Sequence, residues 1–119
     1  NNVKKFVLLN VSAAFHSKFM QDSQEKLSTE IDNIKFIDNN IKIISNYNAI
    51  ASNDTKLIRE SLKFQMANKV KWTQSIIELE KIGEKNIIEI GPGKVLSGLI
   101  KRISNSFDIR TINEISDLN

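Results

Sequence analysis

His16 is the only histidine in the chain, and histidine is the side chain whose ordinary titration range lies closest to neutral pH. It stands in Ser12-Ala13-Ala14-Phe15-His16-Ser17, a run of small residues that reads as a strand-to-helix turn, where a side chain can reach a ligand. Two readings are open: a general base, or an incidental loop histidine. A metal centre is not expected. The chain has no cysteine, a single histidine cannot build a zinc site without thiolates, and no H-E-x-x-H is present.

Gly91-Pro92-Gly93-Lys94 falls between a predicted strand and a predicted helix, as phosphate loops do. Its spacing matches neither G-x-G-x-x-G nor G-x-x-x-x-G-K-[ST]. A tight turn that needs positive φ, stiffened by proline, accounts for it better than phosphate binding. Gln65 lies near the end of a predicted helix, whose last carbonyls have no intrahelical donor. Such a carbonyl can accept a hydrogen bond from a histidine ring and fix its tautomer, as an aspartate does in a catalytic triad. The competing reading of Gln65 is a solvated helix residue. Trp72, four residues before Ile76, reads as core rather than as a ligand-stacking ring. Glu78, Glu80 and Glu84 alternate with Lys81 and Lys85, the pattern of an exposed helix face. No serine sits in G-x-S-x-G, so none is a candidate nucleophile.

The elements that must hold these residues alternate between strand and helix. Residues 6–11 form a short apolar run and predict a buried strand. A helix is predicted over residues 17–32, with Met20, Leu27, Ile31 and Ile34 on one face. Asp38-Asn39-Asn40 is a turn, and residues 41–46 are β-branched and predict a second strand. Ser52-Asn53-Asp54 offers N-caps to a helix with Ile58, Leu62 and Met66 inward, broken at Asn68. The next helix carries Trp72, Ile76, Leu79 and Ile82 and stops at Gly83. A strand follows over residues 87–90. Then come a helix over 94–103, with Leu96, Leu99, Ile100 and Ile103 inward, and a last strand over 107–112. Residues beyond Asn113 read as a frayed tail. The fold class is therefore α/β, a parallel sheet flanked by helices. In such sheets ligands bind beyond the carboxyl ends of the strands. Phe15-His16, Asn46 and Gly91-Pro92-Gly93 would then share one rim.

Composition narrows the class. The 119 residues suit one domain or a piece of one, and 40% hydrophobic with 26% charged residues is globular rather than disordered. The net charge of +3 is small and scattered, so no nucleic acid partner is expected. Lys4-Lys5, Lys69-Val70-Lys71 and Lys101-Arg102 read as solvated faces. No apolar run approaches a membrane span, and Asn-Asn-Val-Lys-Lys at the start is not a signal peptide. No membrane association and a cytoplasmic location are expected. The first residue is not methionine, so the chain is expected to be a fragment, a trimmed chain or a processed product.

Two segments carry a family resemblance. Residues 11–20, Val-Ser-Ala-Ala-Phe-His-Ser-Lys-Phe-Met, resemble the segment around the catalytic histidine of bacterial malonyl-CoA:acyl carrier protein transacylases. Residues 89–103, Glu-Ile-Gly-Pro-Gly-Lys-Val-Leu-Ser-Gly-Leu-Ile-Lys-Arg-Ile, resemble that family's C-terminal signature. Residues 43–46 and 65–72 match in order between them.

The resemblance implies that this is the C-terminal part of such an enzyme. Residues 1–11 would close the ferredoxin-like small subdomain, and residues 12–119 would be the closing section of the α/β-hydrolase-like large subdomain. It implies ping-pong transfer of malonyl from coenzyme A to the phosphopantetheine thiol of acyl carrier protein in fatty acid biosynthesis, with no bound cofactor. His16 would be the base, and the backbone carbonyl of Gln65 would orient it. Phe15 would be a substrate-binding residue that excludes branched acyl groups. The nucleophilic serine and a carboxylate-binding arginine would lie upstream, so the N-terminal part of the same enzyme is an expected partner. Where the family commonly has Asn-Pro-Val this chain has Asn68-Lys69-Val70, which puts the turn after Gln65 in question. The alternative is a non-catalytic α/β module of the same fold that binds a partner or a phosphorylated ligand.

Overall fold

The structure, a computed structural model, describes residues 13–118. The predicted strand at 6–11, and with it the small-subdomain assignment of residues 1–11, lies outside the described residues.

A 3-10 turn at Lys18–Met20 leads into α1 (Gln21–Asn33). Two short strands, β1 (Ile43–Ile44) and β2 (Ala51–Ser52), precede α2 (Thr55–Phe64) and α3 (Trp72–Lys81). A β-α-β unit follows, made of β3 (Asn86–Ile90), α4 (Val95–Lys101) and β4 (Asp108–Ile112). β3 and β4 pair in parallel, with Asn86 opposite Asp108 and Ile90 opposite Ile112. Parallel neighbours need a crossover between them, and α4 supplies it.

The second predicted strand corrects the expected sheet. Ile43–Ile44 pairs antiparallel with Ala51–Ser52 and is no part of the parallel pair. A turn at Ser45–Ala49 reverses the chain. The Ser45 hydroxyl accepts from the Tyr47 and Asn48 amides, and Ala49 takes positive φ (60°).

α1 packs on α2, and polar anchors decide how. The Arg59 guanidinium donates to the carbonyls of Ile31, Asp32 and Ile34, satisfying acceptors that the end of α1 leaves open. It also lies 4.5 Å from the centre of the Phe36 ring, and Lys63 pairs with Asp32 at 2.7 Å. The predicted apolar face of α1 holds only in part. Ile31 is buried, Ile34 is half exposed, and the amide of Gln24 is buried instead. α2 starts as expected: the Asp54 carboxylate accepts from the Lys56 amide at 2.9 Å. α3 ends as expected at Gly83, whose φ of 86° is cheap only for glycine.

Among the described residues Ile76 and Ile100 are the most buried apolar side chains, each 2% exposed. Leu96 and Leu99, expected inward, are exposed. Leu96 lines an open groove with Trp72, Leu79, Ile87 and Ile88, so the described residues leave one apolar face of the β-α-β unit uncovered. The expected frayed tail is instead a 3-10 turn, Ile115–Leu118. The Asp117 carboxylate folds it back by accepting from the amides of Asn113 (2.8 Å) and Glu114 (3.1 Å). Those two bonds hold its carboxyl below the usual carboxylate range.

Candidate active site

His16 adopts left-handed backbone geometry, with φ of 61°. For a residue other than glycine such strain persists only where neighbours enforce it. Here they do. The His16 amide donates to the Met66 carbonyl at 2.8 Å, and ring Nδ1 lies 3.0 Å from the Gln65 carbonyl oxygen and 3.1 Å from that of Asn68. Ser17 braces the same turn by donating to the Ala14 carbonyl at 2.6 Å.

The chemistry of this arrangement follows from donor counting. Carbonyl oxygens only accept, so the ring nitrogen between two of them must carry the proton. In the neutral ring Nε2 is then the free lone pair. Gln65 caps the C-terminus of α2, where carbonyls are left without intrahelical donors. The end of a helix thus does for this histidine what a carboxylate does in a triad.

The loop that supplies these carbonyls is itself tied down. The Asn68 side-chain amide donates to the Phe64 carbonyl at 2.7 Å. The Ala67 amide donates to the buried Gln24 side chain at 2.9 Å. The Lys71 amide donates to the Asn46 carbonyl at 2.9 Å, joining the loop to the β1–β2 turn. His16 opens onto a groove of about 550 Å³ lined by Ser17, Lys18, Tyr47, Asn68, Lys69 and Lys71 among others. Its charged side chains are cationic, which suits an anionic ligand.

No family model matches the chain. A malonyl CoA-acyl carrier protein transacylase of Synechocystis is 34% identical over 99% of this chain and 41% of its own length. The solved Synechocystis malonyl-CoA:ACP transacylase superposes on 93% of this chain and 38% of its own, with a TM-score of 0.88 and 33% identity. The chain belongs to the malonyl-CoA:acyl carrier protein transacylase family. It matches the C-terminal section of these proteins and spans less than half the length of those it matches. A malonyl-transacylase solved in complex with a type II polyketide acyl-carrier protein gives a TM-score of 0.84 at 31% identity, covering 92% of this chain and 36% of its own. The polyketide biosynthesis protein PksE of Bacillus subtilis is 45% identical over 87% of this chain and 13% of that protein.

Within this transacylase section, His16 and the Gln65 carbonyl meet as expected, with Lys69 in the segment that follows. Phe15 is 55% exposed and is not among the residues that line the His16 groove. The Gly91-Pro92-Gly93 turn does not line that groove either. The turn reading of this motif is right: Gly91 and Gly93 have φ of 137° and 93°, and the Gly93 amide donates to the Asn113 side chain at 2.7 Å.

The phosphate reading fails for a physical reason. The carboxylate of Glu89 already occupies the start of α4, accepting from the amides of Leu96 (2.9 Å) and Ser97 (2.8 Å) and from the Ser97 hydroxyl. The Ser97 hydroxyl is the main cause that holds the Glu89 carboxyl below its ordinary range, helped by the two amides. Sequence reasoning missed both Glu89 and the second acceptor, Asn68. Glu89 could have been found as the acid two residues before a glycine turn and a helix start; the Asn68 carbonyl lies in the loop beyond the end of α2, where helix-end counting singles out no acceptor. Among the described residues no group of three His, Cys, Asp or Glu side chains could hold a metal. No helix among them is long and apolar enough to cross a membrane.

Proposed function

We propose that this chain supplies the general base for transfer of malonyl from coenzyme A to acyl carrier protein, with the nucleophilic serine provided by the section of the enzyme that precedes these residues. The observation that carries the reading is Nδ1 of His16 held between two carbonyls, which leaves Nε2 basic.

In the first half-reaction Nε2 takes the proton from the serine hydroxyl as its oxygen attacks the thioester carbonyl of malonyl-CoA. The tetrahedral intermediate collapses, the C–S bond breaks, and the departing coenzyme A thiolate receives that proton from the imidazolium. In the second half the phosphopantetheine thiol of the carrier protein gives its proton to Nε2 and attacks the acyl-serine. The proton then returns to the serine oxygen. The positive charge on the ring between these steps is stabilised by the Gln65 and Asn68 carbonyl dipoles.

Lys18, Lys69 and Lys71 around the groove fit substrates that carry phosphate and carboxylate groups. Phe15 is assigned to acyl choice on its place directly before His16 in the chain, since it does not line the groove of the described residues. The enzyme acts in the cytoplasm without a bound cofactor, and its malonyl serves fatty acid synthesis. The higher identity to PksE favours a second destination for the malonyl group, a polyketide carrier.

The test uses the complete protein with radiolabelled malonyl-CoA and two holo carrier proteins, one from each kind of synthase. Label on the fatty acid carrier supports the first destination, and label on the polyketide carrier alone the second. Label on neither contradicts the activity.

A further inference from the structure

Buried polar side chains are expensive unless they make a hydrogen bond, and α1 buries one whose partner lies in the loop beside His16. Gln24 is 7% exposed, and its Oε1 accepts the Ala67 amide at 2.9 Å. Ala67 is the middle of the loop whose flanking carbonyls, Gln65 and Asn68, hold Nδ1 of His16. The carbonyl before it, Met66, holds the His16 amide. Three contacts to the histidine, from the carbonyls of Gln65, Met66 and Asn68, therefore hang on a loop that a side chain of α1 pins.

The pin matters because residue 69, at the end of this loop, is a lysine, which does not fix its own backbone as a proline does. Proline would fix its own φ and restrict the residue before it. Lysine does neither, so the loop needs another restraint to keep both carbonyls on the ring.

We propose that Gln24 is a positioning residue for the reaction: by holding the Ala67 amide it fixes the 65–68 loop, and through that loop the tautomer and direction of His16. The inference rests on the proposed base role of His16. Gln24 touches neither substrate nor the reacting atoms, so its loss changes how often the base is aligned rather than how substrate binds. A misplacement of about 1 Å in a catalytic group can cost about a hundredfold.

The experiment compares Gln24→Met, which keeps length and helix preference but removes the acceptor, with Gln24→Glu, which keeps an acceptor oxygen in the same place. In the complete protein, Gln24→Met is expected to lower kcat by about tenfold to a hundredfold with KM for malonyl-CoA within about twofold of the wild type. Gln24→Glu should recover most of kcat. A folded Gln24→Met with wild-type kcat overturns the proposal, as does an equal loss in Met and Glu.

Two spectroscopic readings stand apart from activity. The Ala67 amide of the wild type should exchange slowly with solvent. The ring ¹⁵N signals of His16 should lose their single-tautomer pattern in Gln24→Met. Fast exchange at Ala67, or an unchanged ring pattern, overturns the proposal even if Gln24→Met proves unstable in the transfer assay. If the wild type transfers no malonyl, the proposed function fails, while these two readings still decide the role of Gln24.

Discussion

Replacing His16 by asparagine separates its chemistry from its place in the fold. The residue sits at φ of 61°, and asparagine is among the few side chains that tolerate that region. Its side-chain amide can donate toward the Gln65 or Asn68 carbonyl much as Nδ1–H does, so the turn keeps its anchors. What disappears is Nε2. General-base help is worth about 10²–10⁴-fold, which is about 2.7–5.4 kcal/mol of barrier at 1.36 kcal/mol per tenfold. A His16→Val control adds backbone strain of about 1–3 kcal/mol and should melt earlier, whereas His16→Asn should melt close to the wild type. The assay follows initial rates of labelled malonyl transfer to carrier protein by the complete enzyme, with thermal melts on the same samples. A folded His16→Asn enzyme that transfers within about threefold of the wild-type rate would refute the base role.

Four further outcomes are expected. Phe15→Ser should raise the use of methylmalonyl-CoA relative to malonyl-CoA; one methyl discriminates by about 1–3 kcal/mol, so the ratio of specificity constants should shift partially, and an unchanged ratio counts against a role in acyl choice. Ile76→Ala removes the most buried large side chain and should destabilise the complete protein by about 2–5 kcal/mol, read from urea unfolding. The folded-state pKa of Glu89 is depressed, so the stability from its cap on α4 is present above the ordinary carboxylate range and is lost as pH falls through the lowered value; the Leu96 and Ser97 amides should lose exchange protection on acidification, and Glu89→Gln should remove that pH dependence. Residues 1–119 expressed alone should take no label from malonyl-CoA, because the base has no elbow serine to deprotonate; acylation of any serine within them would place the nucleophile here.

Much of the site was legible because it rests on local rules. Asp54 and Gly83 are short-range signals of a helix start and a helix stop, and both act as read. A carbonyl near the end of α2 was legible as an acceptor because helix ends always leave some open. The parts that were missed depend on contacts distant in sequence. The β-branched run at 41–46 announces a strand but not its partner, and Ala51–Ser52 has little strand character of its own, so the antiparallel pairing was hidden. Glu89 and Ser97 meet only because the glycine turn brings α4 back over the end of β3. Asp117 folds the tail through two backbone amides, which polar sequence alone cannot distinguish from fraying. Leu96 and Leu99 follow helical spacing faithfully, yet periodicity says which face is apolar and not whether anything covers it.

The central claim is that two carbonyls force the proton onto Nδ1 of His16 and leave Nε2 as the base. Selective ¹⁵N labelling of histidine in the complete protein tests it directly, with the His16 signals assigned by their absence in His16→Asn. At a pH where the ring is neutral, the account predicts a protonated Nδ1 and an unprotonated Nε2. A ring that carries its proton on Nε2 instead would contradict it.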